Sequence, residues 1–218
     1  MCVIVDEEVK KVGRKQEMQN EKFVRRKDAV DLIAFDTENF LCEVHEKLDV
    51  WDIQVLSNSE QIKEIINNSI EVDLEELESE KDQTRCIYVC KDGSGKFYSI
   101  RNIRFCLLDF IEGIFSLITQ KEYWVIAGTF FLCKMMKRME VDLEETQAAI
   151  CVALYIQAKQ CVVTDENLIK VITAGLSESS YCELYEDDIC KDLKELMKLG
   201  IIKIEEGKYT LAQKVYFM

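Results

Sequence analysis

The run Asp188-Ile-Cys-Lys-Asp-Leu-Lys-Glu-Leu-Met-Lys-Leu-Gly200, followed by Ile201-Ile-Lys-Ile-Glu-Glu-Gly-Lys-Tyr-Thr-Leu211, constrains this chain more than any other stretch. Ile189, Leu193, Leu196 and Met197 recur at i, i+4, i+7 and i+8, the spacing of one buried helical face. Gly200 stands where a helix needs a left-handed residue to turn out of itself. Ile202 and Ile204 then alternate with Lys203 and Glu205, as a half-buried strand does. Glu206-Gly207 is a turn signal, and Tyr209 and Leu211 begin the return strand.

Two helical patterns precede this run. Asp142 with Glu145 can cap a helix carrying Ile150, Ala153, Leu154 and Gln157. Thr164 or Asp165 can cap a shorter one carrying Leu168, Val171 and Ile172. Helix, short helix, helix and hairpin, in that order over residues 143–217, resemble the winged helix-turn-helix. The segment LKELMKLGIIKIEEGKYTL carries most of the likeness. The resemblance implies a C-terminal winged helix over 141–218, and residues 1–140, which it does not cover, are read as an N-terminal α+β domain. The fold class is therefore α+β, mainly helical.

The N-terminal part reads as a mixed unit. Two helices are expected from Lys22 to Leu48, one carrying Phe23, Ala29, Val30 and Ile33, the other Phe40, Leu41, Val44 and Leu48, with the break at Asp36-Thr37. Val50 to Leu56 alternates as a strand, and Asn58 or Ser59 caps a helix through Ile62, Ile65 and Ile66. Asp73 to Asp82 is a carboxylate-rich run, and Arg85 to Arg104 reads as a hairpin around Lys91-Asp-Gly-Ser-Gly-Lys96. Two apolar helices follow, about 105–118 and 120–138. The second is apolar around much of its circumference, so it belongs in a core or against a partner, and 105–138 is the candidate homodimer surface.

No proline is present, so turns fall to Gly, Asn, Asp and Ser. The ten cysteines are scattered through apolar patterns, and the opening Met1-Cys-Val-Ile-Val runs at once into Asp6, Glu7 and Glu8. That reads as no secretory segment, reduced thiols and a cytoplasmic location. The longest uncharged apolar run, Tyr123 to Cys133, is too short to span a bilayer.

Catalytic and metal patterns are thin, and the expectation is a non-enzyme without cofactor or metal. His45, the single histidine, sits three residues from Cys42, but no third orienting group is marked. Asp92-Gly-Ser-Gly-Lys96 lacks phosphate-loop spacing and reads as a hairpin turn. Cys42, His45, Cys86 and Cys90 would suit zinc by type. Yet on a strand Cys86 and Cys90 lie roughly 13 Å apart at about 3.3 Å per residue, too far to share one ion.

Charge cuts against the usual role of the fold. The chain carries a net charge of −13, and from Val141 to Met218 there are eight lysines, no arginine and fourteen acids. Binding to phosphate by counterion release needs the opposite sign. Basic residues do cluster at Lys10, Lys11, Arg14, Lys15, Lys22, Arg25, Arg26 and Lys27, and again at Lys134, Lys137 and Arg138. The resemblance implies a transcription-regulator-like protein on double-stranded DNA, with Lys191, Lys194, Lys198 and Lys208 on phosphate and help from Arg25 and Arg26. The rival expectation is a protein-assembly module whose acidic third helix meets a basic partner. The DNA reading leads, because the fold prior is strong and a dimer pools basic residues.

Overall fold

The computed structural model describes residues 23–25, 30, 35–53, 55, 58–73, 103–139, 141–158, 162–179 and 184–216. They form a mainly helical α+β chain. In order these are β1 (Phe23–Arg25), α1 (Thr37–Asp49), α2 (Ser59–Ser69), β2 (Ile70–Asp73), β3 (Ile103–Cys106) and α3 (Leu107–Leu117). A 3-10 turn at Lys121–Tyr123 leads into α4 (Trp124–Arg138). Then come α5 (Glu145–Gln157), β4 (Val162–Thr164), α6 (Asp165–Ser179), α7 (Glu186–Lys198), β5 (Ile202–Glu205), β6 (Lys208–Leu211) and β7 (Lys214–Tyr216). The carboxylate run beyond Asp73, the hairpin turn at 91–96 and the basic residues before Phe23 lie outside the described residues.

Local chemistry sets the first helices. Asp36 Oδ1 accepts the Asn39 N–H at 3.0 Å, closing the start of α1, which buries Phe40, Leu41, Val44 and Leu48. At its other end the Ile53 N–H reaches Leu48 O and the Asp52 N–H reaches Asp49 O, with Asp52 at φ 53°. This left-handed exit folds Ile53 back under the helix, so residues 50–53 are a helix terminus where alternation had predicted a strand. Asn58 and Gln61 cap α2 reciprocally, side chain to N–H in both directions. Phe23–Arg25, expected to be helical, is instead a strand paired with β2, because long-range ladder bonds override weak local propensity.

The core centres on α4 and α5. Every residue from Val125 to Leu132 is buried on α4, and every residue from Gln147 to Leu154 on α5. Small residues let the helices approach. A Cβ on Gly175 of α6 would stand 2.8 Å from Ala153 Cβ of α5. Helix α5 starts two residues later than the sequence cap suggests. The Glu144 N–H donates to Gln147 Oε1 at 3.2 Å, where Asp142 and Glu145 had been expected, and the neighbouring Leu143 is buried.

One antiparallel sheet runs β4-β6-β5 and the other β1-β2-β3-β7. Glu206 and Gly207 both have positive φ, 51° and 73°, the two-residue turn whose twist suits a hairpin. Ile202 pairs with Leu211 and is buried, but Ile204, paired with Tyr209, remains 49% exposed. The hairpin outruns its helical cover there, so the expected alternation holds for only one of the two isoleucines. Strand β4, absent from the sequence reading, pairs with β6. Strand β7 crosses to the other sheet and pairs with β3. In that sheet Glu71 stands in register between Arg25 and Arg104, and both Glu71 and Arg104 are buried. Opposite charges side by side reduce the cost of burying them. Hydrophobic contact is continuous from Phe40 through Leu132 and Ile150 to Leu211 and Val215. No helix among the described residues is long and apolar enough to cross a membrane.

Candidate functional site

Helix α7 separates two faces sharply. Ile189, Leu193 and Leu196 are buried, and the chain leaves through Gly200 at φ 70°, its N–H on Met197 O and the next N–H on Leu196 O. Lys191, Lys194 and Lys198 are exposed at i, i+3 and i+7 on the opposite side. Asp192 is buried rather than beside them. Its spacing to Ile189 and Leu196, three and four residues, is that of the apolar face, so helical periodicity alone could have placed it. Lys198 Nζ donates to Glu195 Oε1 at 2.7 Å, which neutralises the last lysine of the stripe.

The first turn of α7 has the other sign. Glu186, Asp187 and Asp188 are exposed, and among the described residues no ion pair engages them. Carboxylates there complement the positive end of the helix dipole, so they carry no local penalty. Tyr185, immediately before them, is 79% exposed. It falls outside the helical apolar pattern, and no sequence signal marked it. At the hairpin tip Glu205, Glu206 and Lys208 are exposed and Lys203 is half-buried.

The other candidate cations divide. Arg25 lies on β1, where only its backbone position is described, and Arg26 is outside the described residues. Lys134 Nζ and Arg138 Nη2 donate to the Glu43 carboxylate at 3.0 and 2.8 Å, clamping α4 to α1. The Lys134 hydrogen bond, opposed by partial desolvation and aided by both positive charges, holds Glu43 below its ordinary range. Lys134 and Arg138 therefore act as an internal brace, while Lys137 of the same cluster is exposed. The chain's own elements bury α4 from Val125 to Leu132.

The nucleophile and metal candidates do not assemble among the described residues. Cys42 is exposed with Sγ 4.0 Å from Glu46 Oε1, and His45 Nε2 is buried without a hydrogen-bond partner. Cys86 and Cys90 lie outside the described residues, and no group of three metal-ligating side chains occurs among those described. Among the described residues, Cys42, Cys106, Cys133, Cys151 and Cys190 form no disulfide. Burial, with Glu145 nearby, pushes Cys133 up to about 12, and burial raises Cys151 as well. Neither forms the reactive thiolate near neutral pH. A groove of about 450 Å³ opens beside α6, lined by Gln157, Val163, Thr164, Asn167, Lys170 and Val171.

Comparison of the chain with protein-family models, with curated proteins and with solved structures finds no match.

Proposed function

We propose that residues 141–218 are a winged-helix unit that docks a protein partner of basic character, with no catalytic step. Helix α5, strand β4, helices α6 and α7 and the β5–β6 hairpin follow one another in the order that the fold requires. The strand β4 between the first two helices, paired beside β6, supports the same assignment. The observation that carries the function is the exposed first turn Glu186-Asp187-Asp188, which no ion pair engages among the described residues, reinforced by Glu205 and Glu206. In a winged helix on DNA, this end of the third helix enters the major groove between two rows of phosphate. Three carboxylates there oppose the electrostatic attraction that gives such proteins their affinity. Against lysine or arginine side chains of a protein the same carboxylates steer association.

A second reading, a transcription-regulator-like DNA binder, is favoured by one observation. Lys191 and Lys194 share an exposed face from which Asp192 has turned inward. On that reading they contact phosphate together with Lys198 and Lys208, with help from Arg25 and Arg26.

Fluorescence anisotropy on the full-length chain separates the two. With mixed-sequence duplex DNA in a salt series starting low, wild type is expected to stay unbound, and Glu186→Lys with Asp187→Lys and Asp188→Lys to gain salt-sensitive binding. An arginine-rich peptide is expected to bind wild type and to lose about tenfold or more on the same triple change. Wild-type DNA binding that weakens on Lys191→Glu plus Lys194→Glu would overturn the protein-docking reading and establish the other.

A further inference from the structure

Helix α3 begins without a side-chain cap, since Cys106 makes no capping hydrogen bond. Its first N–H, that of Leu107, donates instead to Gln213 O at 3.0 Å, from the far end of the chain. One residue earlier, the Ala212 N–H donates to Ile201 O at 2.7 Å, and the Ile201 N–H donates to Leu196 O of α7 at 2.9 Å. Leu107, Ile201 and Ala212, which supply the N–H groups, are buried, so leaving those donors unpaired is costly, while Gln213 itself is exposed. On one side of the joint Leu211 is laddered to Ile202, and on the other Lys214 is laddered to Cys106. Only Ala212 and Gln213 separate the two sheets, and each is tied to a different helix end.

We infer that Ala212–Gln213 is a strap that couples the exit of α7 to the start of α3, making the two sheets one cooperative unit. A two-residue joint bonded on both sides leaves no slack to absorb a shift of β6. Displacing the hairpin pulls Gln213 O from the Leu107 N–H, and releasing β7 frees Ile201. A load at α7 or the hairpin is thereby felt at β3, and the coupling runs equally in the other direction.

Amide hydrogen exchange on the full-length chain tests it with two perturbations. Gly200→Ala strains the left-handed exit of α7, and Val215→Ala opens a gap under β7. Gly200→Ala is expected to speed exchange about fivefold or more in β3 and the first turn of α3, and Val215→Ala to do the same in β5 and β6. Amides of α1 from Phe40 to Val44 should keep wild-type protection, which distinguishes coupling from global unfolding. If Gly200→Ala removes that protection too, Gly207→Ala at the hairpin tip replaces it as the milder change. Faster exchange confined to the altered element in both directions overturns the strap.

Discussion

Helices α5 and α7 have the same length, thirteen residues, and face opposite demands. After Glu145, α5 carries no charge at all, and its middle is enclosed on every side. Alternating acids and lysines fill α7, which buries only one stripe. An enclosed helix is specified by volume, which is why alanines and a facing glycine recur along it. A half-buried helix is specified by periodicity, and its outward residues are left unconstrained by packing. Chemistry that recognises a partner therefore has room on α7 and none on α5.

Substitutions can break or sharpen that contrast. The largest effect is expected from Ile150→Ala on α5, a loss of about 2–5 kcal/mol as the fully buried side chain leaves a cavity. Urea denaturation measures it, and a loss below about 1 kcal/mol would mean that α5 is not the enclosed helix described. Gly175→Ala should cost about 1–3 kcal/mol, because its methyl meets Ala153 Cβ and Cα, which have no rotamer to yield. Helix propensity favours alanine by about 1 kcal/mol, so net stabilisation in the same titration would show that the helices separate easily.

Smaller still is the brace that holds α1 on α4. Glu43→Gln should cost up to about 1 kcal/mol near neutral pH, the scale of partly exposed ion pairs. The Glu43 carboxyl is depressed in the folded chain, so its contribution is present above the unfolded value of about 4.3 and fades as pH falls through the folded one. Thermal melts of wild type and Glu43→Gln should thus converge on acidification; a gap that persists at about pH 2 would point to packing rather than charge. Lys191→Ala with Lys194→Ala should move stability by no more than about 0.5 kcal/mol, and a larger shift in the melting temperature would mean that these lysines serve the fold.

The legible parts of the sequence were those whose signals are local. Apolar spacing with Gly200 gave α7 and its exit, Glu206-Gly207 gave the turn, and unbroken apolarity gave α3 and α4. What escaped was pairing between distant residues. Val162–Thr164 is too short to show alternation and becomes a strand only because β6 lies beside it. Phe23–Arg25 is set by β2, and Lys214–Tyr216 by β3. Residues 50–53 misled because alternation over a few positions also fits a helix exit with Asp52 in a left-handed turn. For the candidate surface, lysine spacing placed the stripe and the same periodicity turns Asp192 inward, but composition could not foresee that Glu195 holds Lys198.

The pairing of β3 with β7 also bears on how this polypeptide is made. A ribosome emits the chain from its amino end, so Cys106 emerges long before Lys214, the residue it must lie against. Throughout that interval β3 has neighbours on one side only, and its open rim is able to capture strands from other nascent chains. The amino-terminal sheet therefore reaches its full four strands only once β7 has been made.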